Sequence, residues 1–202
     1  MWIKICGLTS AQAVAAALDA GVDAIGFVLA RSPRQLTAQA AAELARPARG
    51  RVRCVAVMRH PTQPEVDEML SVFGPDLLQS DWGDFSSVRL PVTLEQLAVV
   101  HQGHEPGVLP ARVLFEGAAS GSGELSDWSA ARALAARTEL VLAGGLTAGN
   151  VAAGIAAVRP FGVDVSSGVE ERLGIKSPAA IEKFVAAVRA ADVAPGASRG
   201  ST

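Results

Sequence analysis

Trp2-Ile3-Lys4-Ile5-Cys6-Gly7-Leu8-Thr9-Ser10, followed at once by Ala11-Gln12-Ala13-Val14-Ala15-Ala16-Ala17-Leu18-Asp19-Ala20-Gly21, reads as a strand that runs straight into a helix. The first stretch is short and rich in strand formers, the second is dominated by alanine and leucine. Thr9 or Ser10 can cap the helix start with a side-chain oxygen, and Gly21 suits the left-handed position that follows a helix end.

Outward from this unit the same pairing recurs. Strand candidates are 24–29, 52–58, 76–79, 113–116, 140–143 and 162–166, and helix candidates are 10–20, 38–45, 63–73, 129–136, 149–158 and 178–190. Between Phe85 and Ala111 the pattern weakens; Val88-Arg-Leu-Pro-Val92 reads as a strand with proline at its edge, followed by a poor helix through Val100. Counting it gives eight βα units, so the expected fold is α/β, a single (βα)8 TIM barrel with a parallel eight-stranded sheet over residues 1–192. An open doubly wound sheet is the alternative, but its usual glycine-rich first turn is reduced here to Gly7 alone. Residues 193–202 are small and polar and are expected to form a disordered tail.

The 202 residues are 50% hydrophobic and 19% charged, with a net charge of -2 from 18 basic and 20 acidic side chains, enough for one substantial core. The basic residues form no run, which argues against nucleic acid or anionic lipid as partner and leaves a small ligand. Apolar stretches fall short of a membrane span, and the N-terminus lacks the features of a signal peptide, so a cytoplasmic protein, monomer or homodimer, is expected. Cys6 and Cys54 are then expected to be thiols.

Barrels carry their chemistry at the C-terminal ends of the strands, and side chains alternate inward and outward along each. With Ile3 and Ile5 facing helices, Lys4 and Cys6 point inward; by the same count Glu116 and Asp164 face the interior at the ends of their strands. A thiol and two carboxylates converge on one mouth, where burying them unpartnered would be costly. Cys6 alone reads more readily as a small buried hydrophobe than as a reactive thiol, and Lys4 as the ion-pair partner of a carboxylate or a thiolate. Cys54, away from a strand end, reads as structural. Leu142-Ala-Gly-Gly-Leu146 and Asp164-Val-Ser-Ser-Gly-Val169 close the last two strands with turns whose backbone amides can cradle a phosphate. Arg34 can offer its planar fork to a carboxylate. His60, His101 and His104 are dispersed, with no metal-ligand spacing and no hydrolytic triad, so no metal is assigned.

Lys4-Ile-Cys-Gly-Leu-Thr9, Gly21-Val-Asp-Ala-Ile-Gly-Phe27 with Ser32-Pro-Arg34, Leu142-Ala-Gly-Gly-Leu146 and Gly162-Val-Asp-Val-Ser-Ser-Gly-Val-Glu170 resemble the phosphoribosylanthranilate isomerase family of tryptophan biosynthesis. Gly121-Ser-Gly123 and Asp127-Trp128 resemble the family's segment after strand six, and the likeness runs from residue 2 to residue 190. The resemblance implies a (βα)8 barrel without a cofactor that carries out an Amadori rearrangement of N-(5-phosphoribosyl)anthranilate to 1-(2-carboxyphenylamino)-1-deoxyribulose 5-phosphate. It implies Cys6 as general base, activated if Lys4 lowers its pKa, and Glu116 at the position of the general acid. Arg34 would hold the anthranilate carboxylate and Asp164 lie close to its amine. Gly144, Gly145, Ser166, Ser167 and Gly168 would bind the phosphate.

Two departures stand out. Glu116 occupies a position where the family has aspartate, and Gln79-Ser-Asp-Trp82 replaces a Gln-Leu-His-Gly segment, losing a histidine and placing a bulky residue in the loop. Alternatives to the isomerase are another phosphosugar isomerase or epimerase on the same barrel, and a barrel that binds a phosphosugar without turning it over.

Overall fold

The strand-then-helix reading of the N-terminus holds: β1 (Trp2–Cys6) leads into α1 (Ala11–Asp19), whose first turn is capped by Ser10 accepting from the Ala13 amide. Gly21 follows in the left-handed conformation at φ 71°, where a Cβ would be strained. The computed structural model describes residues 1–103, 107–117 and 126–193. It continues with β2 (Ala24–Val28), α2 (Ala38–Ala45), β3 (Arg53–Val57), α3 (Gln63–Glu68), β4 (Leu77–Asp81), β5 (Glu95–His101) and β6 (Arg112–Glu116). Then come α4 (Trp128–Ala135), β7 (Glu139–Leu142), α5 (Val151–Val158), β8 (Gly162–Val165) and α6 (Pro178–Val193). The eight strands pair in chain order, all parallel, and β8 returns to β1 to close a (βα)8 barrel.

The fifth strand corrects the sequence reading. Residues 88–92 form no strand: Val92 is fully exposed, and β5 lies further on, in the stretch read as a poor helix. Glu95-Gln-Leu-Ala-Val-Val-His101 is buried on both faces from Leu97 to Val100, so it shows neither clean alternation nor a helical stripe. Two crossovers are also thinner than expected. A single 3-10 turn, Trp82–Ser86, follows β4, and the described residues between β5 and β6 contain no helix. That economy lets a barrel fit in so short a chain.

Side chains divide as the alternation requires. Ile3, Ile5, Phe27, Cys54, Phe115 and Leu142 pack outward against helices. Ala24, Val55, Leu77, Leu97, Val99, Leu114, Val141 and Ala143 fill the interior, with Trp2 and Phe161 packed against them. The loop containing Gly121–Gly123 and the expected tail beyond Val193 lie outside the described residues. After β8 the chain adds a two-stranded hairpin, β9 (Glu170–Arg172) and β10 (Ile175–Lys176), unread in the sequence, which brings two charged residues to the mouth.

Candidate active site

Register places the first polar pair. Lys4 on β1 stands beside Asp164 on β8, both pointing inward, and Lys4 Nζ donates to Asp164 Oδ1 at 2.8 Å with the ammonium fully buried. Burial alone would lower the Lys4 pKa, but Asp164 and Cys6 outweigh it and hold the group above its ordinary value. Cys6 pairs in register with Gly26 of β2. A Cβ on Gly26 would stand 3.1 Å from Lys4 Cε and 3.2 Å from both Cys6 Sγ and Lys4 Nζ, so the missing side chain makes room for thiol and ammonium together.

The thiol does not titrate as the sequence suggested. Burial pushes it above the ordinary cysteine pKa; Lys4 and Lys176 pull it down, but not far enough to offset desolvation and the nearby Asp164 carboxylate. Cys54 is buried among helix-facing residues, its thiol pushed up to about 11 by burial, as befits a structural cysteine.

Arg34 is buried, and its guanidinium is already gripped: Nε and Nη2 donate to the two Glu170 oxygens at 2.6 and 3.0 Å. Lys176 Nζ reaches the same carboxylate at 2.8 Å and also donates to the Ser166 carbonyl at 2.9 Å. Burial would raise Glu170, yet the hydrogen bonds from Arg34 and Lys176 prevail and hold it below the ordinary carboxyl range. Gly7 keeps this corner open, since a Cβ there would lie 2.5 Å from Arg34 Cδ.

The turns expected to take phosphate meet each other. Gly144 and Gly145 both adopt positive φ after β7, and a Cβ on Gly168 would fall 1.9 Å from the Leu146 carbonyl oxygen, so the β7 and β8 turns are in backbone contact. Ser166 and Ser167 lie at this junction, with Ser166 Oγ accepting from Lys176 at 3.1 Å.

On the opposite side of the mouth the structure reveals what sequence reading missed. His101, read as one of three dispersed histidines, ends β5 beside Glu116 of β6 in register, and Asp81 ends β4. His101 Nε2 faces Asp81 Oδ1 at 2.9 Å; Nδ1 faces the Gly117 carbonyl at 3.3 Å and Glu116 Oε1 at 4.0 Å. Burial would lower the imidazole pKa, but these oxygens raise it overall. Only a correct placement of β5 could have identified this residue. Arg59 and His60 approach Asp81 at 3.6 and 3.7 Å, and His60 Nδ1 meets Asp84 at 2.9 Å. The exposed His60 and the partly buried Asp81 and Asp84 thus form a polar cluster whose members partner one another. Trp82 stands 37% exposed at the start of the turn after β4.

A closed (βα)8 barrel with a thiol, carboxylates and matched cations at the C-terminal ends of its strands defines an enzyme of acid–base chemistry. The family model for N-(5'-phosphoribosyl)anthranilate (PRA) isomerase matches residues 3–187, and the chain belongs to this family. The N-(5'-phosphoribosyl)anthranilate isomerase of Rhizobium etli is 38% identical over 220 residues, covering 96% of this chain and 98% of its own. That of Roseiflexus castenholzii is likewise 38% identical, covering 95% and 99%. The crystal structure of TrpF from Jonesia denitrificans matches with a TM-score of 0.81 at 33% identity, over 96% of this chain and 98% of its own. The chain is accordingly an isomerase of tryptophan biosynthesis, and the other readings, a different phosphosugar enzyme or a silent binding barrel, are not favoured.

Proposed function

We propose that Cys6 and Glu116 carry the Amadori rearrangement of N-(5-phosphoribosyl)anthranilate, within one catalytic unit spanning residues 1–192 and working in the cytoplasm. The observation that carries this reading is the convergence on one mouth of Cys6 beside Lys4, Glu116 on β6, and the touching turns after β7 and β8. No described helix is long and apolar enough to cross a membrane.

The chemistry needs an acid and a base in succession. Glu116 gives its proton to the furanose ring oxygen, the C1–O bond breaks, and the open-chain iminium forms. Cys6 as thiolate then removes the C2 proton, and the resulting enolamine tautomerises to the ketose. The raised thiol pKa means that ionising Cys6 is costly in the resting site. The positive iminium reduces that cost when the base is needed, because an adjacent cation favours the thiolate. Glu170 grips the Nε–Nη2 edge of Arg34, and the guanidinium held in this way would meet an incoming anthranilate carboxylate. Asp164, anchored by Lys4, would meet the anthranilate amine, and Gly144, Gly145, Ser166, Ser167 and Gly168 would hold the phosphate.

The test follows the fluorescence of freshly generated phosphoribosylanthranilate as it is consumed, with spontaneous decay subtracted. Cys6→Ala and Glu116→Ala should each lower turnover by about 10³-fold, within the range of general acid–base catalysis, while phosphosugar binding changes little. Near-native turnover in either variant would remove that residue from the mechanism.

A further inference from the structure

We propose that His101 is the proton source for Glu116: an imidazolium held between Asp81 and Glu116 that refills the acid each time it protonates the sugar ring. The inference rests on the reading of Glu116 as the acid and adds a group to it. With Asp81 and Glu116 ionised, both ring nitrogens of His101 face accepting oxygens: Asp81 Oδ1 at Nε2, the Gly117 carbonyl and Glu116 Oε1 at Nδ1. A neutral ring would turn a lone pair toward one of them, whereas the imidazolium donates on both sides. Backbone register fixes the arrangement, because His101 and Glu116 are lateral neighbours on β5 and β6 and both point into the mouth.

Among the described residues, the charged groups facing this imidazole are Asp81 from β4 and Glu116 from β6. Arg59 and His60 stand behind Asp81, and Asp84 behind His60. The two carboxylates flank the ring directly, so its charge is matched where it sits. One transferable proton serves the His101–Glu116 pair. As Glu116 closes the 4.0 Å gap on substrate binding, the Nδ1 proton passes to Oε1, leaving neutral imidazole and a carboxylic acid. Glu116 then gives that proton to the ring oxygen, and His101 takes its replacement from solvent. Catalytic hydrogen bonds that are long in a free site commonly tighten in this way. With the pair, a transferable proton waits on the imidazolium beside Glu116 at neutral pH, where a lone glutamate, with an ordinary pKa of about 4.3, would be almost wholly ionised.

The experiment compares native protein with His101→Gln, which can donate to Asp81 but cannot carry a proton to Glu116, between pH 5 and 8. The native-to-variant ratio of kcat should climb from within a few-fold at pH 5 to roughly 100-fold at pH 8, the interval between carboxyl and imidazolium ionisation. Affinity for a non-reacting reduced analogue of the product should change less than about threefold, far below the loss expected from a misplaced binding group. A ratio independent of pH would mean that His101 only supports structure and would overturn the proposal. If Glu116→Ala keeps native turnover, the reading of Glu116 as the acid falls first, and this proposal with it. An NMR titration needs no turnover: the His101 imidazole, assigned by its disappearance in His101→Gln, should titrate above the ordinary value of about 6.5. In Glu116→Gln its pKa should drop, because one of the charges that favours the imidazolium is gone. An ordinary pKa, unmoved by Glu116→Gln, would equally overturn the proposal.

Discussion

Around the ends of β8, β1 and β2 the buried charges are locked at short distance, Lys4 to Asp164 at 2.8 Å and Arg34 and Lys176 to Glu170 at 2.6 and 2.8 Å. Around β4, β5 and β6 several contacts are longer and the groups more open, with His101 at 4.0 Å from Glu116 and Arg59 at 3.6 Å from a partly exposed Asp81. The thicker crossovers back the first side, and the 3-10 turn after β4 backs the second. One mouth thus divides two tasks. Matched, desolvated pairs hold a geometry and resist rearrangement, whereas longer contacts between partly exposed groups let protons be exchanged during turnover.

Removing Lys4 should damage the locked side most. Lys4→Met leaves Asp164 unpartnered in the interior and withdraws the cation nearest Cys6, so the thiol pKa should rise further. A turnover loss of about 10³-fold or more, with about 4 kcal/mol of stability, is expected from a broken buried pair. Denaturant unfolding, alkylation rate against pH and turnover would read these effects together. A variant as stable and active as the native protein would show that the pair is not locked at all.

Glu170→Gln tests the neighbouring pairs by pH. Its carboxyl is held below the unfolded value, so its stabilisation is present above the ordinary carboxyl pKa and is lost as pH falls through the lowered one. The variant should be about 3 kcal/mol less stable at pH 7. Melting curves should show that gap narrowing below about pH 4, near ordinary carboxyl ionisation. A gap that stays constant with pH would mean that the charge of Glu170 contributes little.

The open side is sharpened by Glu116→Asp, which retracts the carboxyl by one methylene from both His101 and the sugar. A loss of about 10- to 100-fold in kcat is expected, since a displacement near 1 Å has that scale of effect. Unchanged or improved turnover would mean that the longer acid is merely tolerated. The smallest effect belongs to Cys54, on the outer face of β3. Cys54→Ala should cost about 1 kcal/mol for the lost buried volume and leave kcat within twofold, which steady-state rates would check.

Much of the locked side was legible because its residues fall in contiguous motifs with clear alternation: Lys4 and Cys6 two apart on one strand, Asp164 at a strand end, glycine turns directly after. Arg34 was visible too, but its grip by Glu170 was not, since a hairpin between β8 and α6 makes that contact across 136 residues. The open side was harder to read. β5 is buried on both faces, so its period is blurred, and misplacing it hid His101 altogether. The titration of Cys6 likewise escaped, because a lysine two residues away suggests a lowered pKa while desolvation depends on everything packed around the thiol.

Composition, alternation and glycine placement therefore determined the βα repeat, the closed barrel and the strand ends where chemistry would sit, because these depend on local periodicity and short connections. Tertiary structure decided which charges pair, how far burial outweighs the cations around the Cys6 thiol and which histidine reaches the acid. Those outcomes depend on strand register and on the loss of water from a shared interior, and neither is written in any single stretch of the chain.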